Sequence, residues 1–201
     1  MTTLPDAAGI VRFHDERVAD RDWAKAGVAA FTDGVWQWIE TNHRFNNLLW
    51  DEEDLARRKH VPDSAIAANK RAIDGFNQKR NDAIERIDEQ LLANLPPAPG
   101  ARLNSETAGA MIDRLSILAL KLFHMRLQTE RTDASTEHVE ACRQKLDRLA
   151  EQRRDLQRCL GELLDDCRAG RACFKVYRQF KMYNDPALNP QLYGNADTPK
   201  R

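Results

Sequence analysis

Apolar residues recur every three or four positions along almost the whole chain, and no stretch sustains the alternation of a half-buried strand. The pattern predicts an all-α protein. A first helical region falls within Ile10 to Ala30, and a second runs from about Thr32 to His60, where Val61-Pro62 stops it. Asp63 reads as the N-cap of a third helix from Ser64 to about Asn94. Leu95-Pro96-Pro97-Ala98-Pro99-Gly100 ends that helix and opens a linker over 95–103 between two helical halves of one domain, 10–195. Asn104 or Ser105 is placed to cap a fourth helix that is apolar nearly all round from Ala108 to Met125, as expected of a central helix. A fifth begins at Ser135 or Thr136 and runs to Ala169 before Gly170. Its seam of Val139, Cys142, Leu146, Leu149, Leu156, Leu160, Leu163 and Cys167 is interrupted by Arg153, a residue suited to fixing register. The architecture expected is an elongated helical bundle with a long antiparallel helical hairpin arm. The aromatic and basic segment from Phe174 to Tyr193 is expected to fold back onto the bundle, with residues 1–9 and 196–201 disordered.

Polar residues interrupt these apolar stripes at matching places. At about 100° per residue, Trp36, Ile39, His43, Asn46, Asn47, Trp50, Asp54 and Arg57 share one side of the second helix, while Phe45, Leu48 and Leu55 form another. A helix covered on two sides places its amides, imidazole, carboxylate and guanidinium in a shared polar interior, where each needs a partner or a ligand. The third helix sets Asn77 and Arg80 into an aliphatic stripe flanked by Asn81 and Asp74. The fourth adds Asp113, Arg114, Ser116, Lys121 and His124. A buried Arg80 requires an anion, which Glu53, Asp54, Asp113 or a ligand phosphate could supply. The expectation is therefore one polar pocket containing His43, Trp50, Asp54, Asn77, Arg80 and Asp113. Its alternative is a self-satisfied network that binds nothing.

The 201 residues carry 31 basic and 31 acidic side chains, so no net field draws the chain to nucleic acid or an anionic membrane. No run is long and apolar enough to insert in a membrane, and the first residues lack signal-peptide character, which together read as cytoplasmic. Cys142, Cys159, Cys167 and Cys173 match no metal-site spacing and read as structural thiols. Glu85-Arg86-Ile87-Asp88 has the ExxD spacing of a magnesium-dependent all-α nucleotide pyrophosphohydrolase, but Ala56 stands where the upstream acidic pattern needs its last carboxylate. No metal site and no cofactor is assigned.

Several ordered pieces resemble a bacterial family, domain-of-unknown-function family 4254. They are Asn42-His43 with Asn46, Leu49-Trp50 and Glu53-Asp54-x-Ala56-Arg57; Ile73-Asp74 with Asn77-Gln78 and Arg80-Asn81; Asn104 to Thr107 with Gly109 and Ile112 to Leu118; and Tyr177 to Asp185. Ala108 stands where that family is associated with proline. The resemblance implies an all-helical protein often encoded beside glycosyltransferases of lipopolysaccharide assembly, and it carries no catalytic role to any residue.

Three functions fit these features. One is a binding protein or enzyme for a phosphorylated sugar or sugar nucleotide. It would use Asn46, Trp50, Arg57, Asn77, Arg80, Asn81 and Arg114 as ligand contacts, with His43 as general acid/base oriented by Asp54 or Asp113. The second is an adaptor docking on a glycosyltransferase partner, or pairing as a homodimer, through the long arm. The third is the pyrophosphohydrolase.

Overall fold

The computed structural model describes residues 4–20, 22–182 and 185–193, and it is all-α. Two helical hairpins carry the fold. In the first, α3 (Gly34–Leu55) and α4 (Asp63–Leu92) run antiparallel. Asn69 donates to Glu52 at 2.6 Å, Phe45 meets Phe76 at 5.8 Å, and the Arg86 guanidinium lies 5.9 Å over Trp38. In the second, α5 (Ala108–Thr129) and α6 (Thr136–Arg168) fold back through a short turn, with Ser135 capping α6. The 33 residues of α6 span about 50 Å at about 1.5 Å each. Its seam is buried at Leu156, Leu160 and Leu163 and half-buried at Leu146 and Leu149, because a 3-4 stripe one helix wide needs one facing helix.

α5 is the central helix. Ile112 and Leu115 are fully enclosed among Ile10, Ile39, Ile87, Leu91 and Leu160, which come from four other helices. Its N-terminus touches α4 at Gly109, where a Cβ would stand 2.6 Å from the Ile84 carbonyl oxygen; only glycine allows this approach. There the Gly109 amide donates to Asp88 Oδ1 at 2.6 Å, so a carboxylate of α4 helps to cap α5. The nearer cap is Thr107, which accepts from Ala110 N at 3.1 Å, and not Asn104 or Ser105; the Asn104 amide is turned to the Glu106 carbonyl instead.

Other expectations are corrected at the ends of elements. Helix α1 (Ala7–Ala19) starts inside the segment expected to be disordered, because Asp6 accepts from Gly9 N and Pro5, Ala7 and Ile10 are buried. The first helical region does not continue to Ala30. It breaks into α1 and a single turn, α2 (Trp23–Ala26), ended by Gly27 at φ 73°. Glu40 and Arg44 of α3 then hold the following loop: Glu40 accepts from Ala30 N and Phe31 N at 2.9 Å, and Arg44 donates to the carbonyls of Gly27 and Val28. Helix α3 stops at Leu55 and not His60, with Arg57 and Arg58 folded back on the carbonyls of Glu53 and Leu55. Asp63 is the first residue of α4, after a Pro62 cap.

The linker holds a short strand, β1 (Arg102–Leu103), paired in parallel with β2 (Ala172–Cys173). Arg153, the interruption in the seam, pairs with Asp15 of α1 at 2.5 Å. The C-terminal segment folds back only in part. Phe174 is buried and Arg178 bridges Glu85 and Glu89, yet Phe180 is 85 % exposed beyond that clamp. The chain ends its described course in α7 (Pro190–Tyr193). Tyr183, the Tyr193 side chain and residues 196–201 lie outside the described residues.

Candidate functional site

A string of hydrogen bonds crosses the buried interface of α3 and α5. Asp113 Oδ1 accepts from Asn42 Nδ2 at 2.8 Å and Asn46 Nδ2 at 2.9 Å, and Asn46 Nδ2 also donates to Ser116 Oγ at 2.9 Å. Ser116 Oγ lies 2.7 Å from His43 Nδ1, and His43 Nε2 lies 3.1 Å from the His14 carbonyl oxygen. A carbonyl only accepts, so Nε2 carries the imidazole proton and Nδ1 accepts from Ser116. The directions are consistent from Asn46 through to His14. Three α3 residues at i, i+1 and i+4 meet two α5 residues at i and i+3, the spacings at which facing helices present one side.

His43 is a member of this network and not of a cavity wall. Burial, reinforced by Arg17 and partly offset by the bond to the His14 carbonyl, pushes its pKa down to about 3. The ring is neutral with both nitrogens engaged. Its orienting partners are Ser116 and a backbone carbonyl; Asp54 and Asp113, the orienters expected from the sequence, do not touch it. His14 stacks on it with ring centroids 4.5 Å apart, and both buried His14 nitrogens lack a hydrogen-bond partner among the described residues. Burial, then the neighbouring His43 and Arg153, hold the His14 pKa well below the usual histidine value.

The cavity lies beside this network. It measures about 300 Å³ and is lined by Asn46, Trp50, Glu53, Asp54, Arg57, Asn77 and Arg80, over a floor of Leu49, Ile117 and Leu120. Arg80 is its central charge. Its Nε stands 3.7 Å from Asp113 Oδ1, close enough for an ion pair but too long for a hydrogen bond. That buried Nε has no hydrogen-bond partner among the described residues. The oxygen it faces already accepts from two amides, and the side chain keeps 26 % exposure toward the cavity. Asn46 belongs to both network and wall.

Not every residue expected at the pocket is there. Asp113 lies behind Arg80 and Asn46. Arg57 sits on the exposed rim and pairs with Glu53 at 2.8 Å. Asn81 is buried, its Oδ1 without a partner among the described residues, but is not on the wall, and Arg114 pairs with Glu106 at 2.6 Å on a different groove, between α5 and α6. Trp50 is both packing and wall, stacked on His124 at 4.4 Å with ring planes 7° apart.

The ExxD pair is committed elsewhere. Glu85 holds Arg178 and the Gln179 amide, whereas Asp88 faces inward to Gly109, and burial raises its pKa to about 6 against the hydrogen bonds from Thr107 and Gly109. Among the described residues no three His, Cys, Asp or Glu side chains are grouped to hold a metal ion. His14, buried and unpartnered, carries no local signal in the sequence. Ser116 was visible as a polar interruption and Asn42 only as part of the family-like Asn42-His43 pair; their bonding partners are set by the crossing of α3 and α5.

The family model described as "Protein of unknown function (DUF4254)" matches residues 36–176. No curated protein and no solved structure matches the chain in the same comparison.

Proposed function

Since the chain belongs to the DUF4254 family, a membership that assigns no activity, we propose from the site itself that it binds a phosphorylated sugar or sugar nucleotide in the cytoplasm, in the service of cell-envelope polysaccharide assembly. The observation that carries this reading is Arg80. A guanidinium set into a cavity wall, whose ion-pair partner among the described residues is already shared by two amides, is suited to grip a phosphate. Asn46 and Asn77 beside it supply amide donors and acceptors of the kind that read sugar hydroxyls, and Trp50 offers an apolar ring edge or face. Among the described residues no helix is long and apolar enough to cross a membrane, which accords with a protein working in aqueous solution.

The reading is one of binding. His43 is enclosed and neutral, so a proton-transfer step would fall to Asp54, which stands on the cavity wall.

A thermal-shift titration tests the proposal with glucose 1-phosphate and UDP-glucose, and with glucose as the phosphate-free control. Saturation at about a hundred times Kd stabilises by about 2.7 kcal/mol, or about 5–10 °C for a domain of this size. Arg80→Met should abolish the shift. An equal shift with glucose, or an Arg80→Met protein that responds like the wild type, would overturn the reading.

A further inference from the structure

The cations of α6 divide into those that meet a carboxylate and those that, like Arg154, meet none among the described residues. On α6, Arg143, Arg153, Arg158 and Arg168 each reach a carboxylate within 3.5 Å. Lys145 and Arg148 on the same helix, and Lys121 facing them from α5, make no ion pair among the described residues. These three instead line a second cavity of about 620 Å³, between α5 and α6. Its third side is α3, through Trp50 and Asp54, and those two residues also form a wall of the Arg80 cavity. The two spaces are neighbours across one indole.

The chemistry of the larger chamber is specific. One side is apolar and planar: Trp50 in parallel stack with His124, together with Met125 and Leu149. The other is the cationic trio. A bare polyphosphate would leave the apolar wall unused, and an uncharged aromatic would leave the cations unpaired, whereas a nucleotide uses both. Asp54 stands where the chambers meet. A carboxylate there repels phosphate and accepts from hydroxyls, which favours a hydroxyl-bearing group at the junction and phosphate to the side of it. Both volumes fall within the range of about 300–1,000 Å³ usual for small-molecule sites.

We propose that the chamber bounded by Lys121, Lys145, Arg148 and Trp50 is a nucleoside-diphosphate site continuous with the Arg80 cavity, so that the ligand is a nucleotide sugar spanning Trp50. The diphosphate lies against the three cations with its sugar-linked phosphate turned to Arg80, the base against Trp50, Met125 and Leu149, and the sugar at Asp54, Asn46 and Asn77. This inference rests on the sugar-phosphate reading of the Arg80 cavity and deepens it.

Isothermal titration with UDP, GDP, ADP, glucose 1-phosphate and UDP-glucose separates the chambers. The double variant Lys145→Glu/Arg148→Glu replaces two exposed side chains and breaks no ion pair, and its urea midpoint reports whether folding is intact. At least one nucleoside diphosphate should bind the wild type and lose tenfold or more in the double variant, while glucose 1-phosphate binds both equally. UDP-glucose should weaken with either the double variant or Arg80→Met. Glucose 1-phosphate bound through Arg80, with every nucleoside diphosphate inert or indifferent to the charge reversal, would overturn the nucleotide chamber and leave the Arg80 reading standing. A nucleoside diphosphate bound through Lys145 and Arg148 whose affinity gains nothing from an attached sugar, with glucose 1-phosphate inert, would refute the spanning ligand and the Arg80 reading together.

Discussion

Acidification should unfold this protein along a slope set by three buried groups. His43 has a pKa near 3 when folded, against an ordinary 6.5. Below pH 6.5 the unfolded chain therefore binds a proton that the folded chain refuses, and stability falls with pH by up to about 1.4 kcal/mol per unit. His14, whose pKa burial also lowers well below 6.5, acts in the same direction. Asp88 opposes them. Its folded pKa of about 6 lies above the ordinary 3.8, so between those values the folded state takes up the extra proton and stability rises as pH falls, with a slope of the same size. From about pH 6 to 4 His43 and Asp88 nearly cancel, leaving the loss that His14 contributes, up to about 1.4 kcal/mol per pH unit. Asp88→Asn keeps an amide oxygen to accept the Gly109 N–H but removes the opposing titration, so its slope should steepen by up to about 1.4 kcal/mol per unit. His14→Phe removes one histidine along with two unpartnered ring nitrogens, and its profile should be nearly flat over the same window. Urea midpoints followed by circular dichroism at pH 4 to 7 and constant ionic strength measure all three. An Asp88→Asn slope equal to that of the wild type, or a His14→Phe slope as steep, would refute the assignment of acid sensitivity to these groups.

Three further outcomes can be measured on the same footing. Gly109→Ala should lower stability by about 1–3 kcal/mol through overpacking, despite the better helix propensity of alanine, because its Cβ would meet the Ile84 carbonyl oxygen at 2.6 Å; a stabilised variant in urea unfolding would contradict the close crossing of α4 and α5. Unliganded Arg80→Met should lose about 1–2 kcal/mol and not the about 3–5 kcal/mol of a stranded carboxylate, since Asp113 keeps its amide donors Asn42 and Asn46; a large drop in the urea midpoint would mark Arg80 as a structural partner of Asp113. Glu40→Ala strands the amides of Ala30 and Phe31, at a cost of about 1–3 kcal/mol, and limited proteolysis should cut the loop around residues 27–33 faster than in the wild type.

What the sequence determined by itself follows from local periodicity and local steric rules. The 3-4 stripe from Cys142 to Cys167 required a facing helix, and α5 is that helix; the all-round apolar run from Met111 to Leu122 required a central place, and it has one. Asn46, Asn77 and Arg80 were legible as polar steps in apolar faces, with Trp50 on the same face as Asn46, and the fold brings all four to one cavity. Only the tertiary structure decided which neighbours those steps meet. Whether His43 lies open to a ligand or sealed against His14 depends on where α1 docks. Whether Asp88 binds a cation or caps α5 depends on a crossing that a single glycine allows. Lys145 and Arg148 lie off the apolar seam of α6, and they become part of a cavity only because the hairpin register sets them opposite Lys121 and within reach of Trp50. Periodicity fixes the direction a side chain takes from its own helix axis, whereas a site also needs the relative placement of several axes, which comes from contacts far apart in the chain.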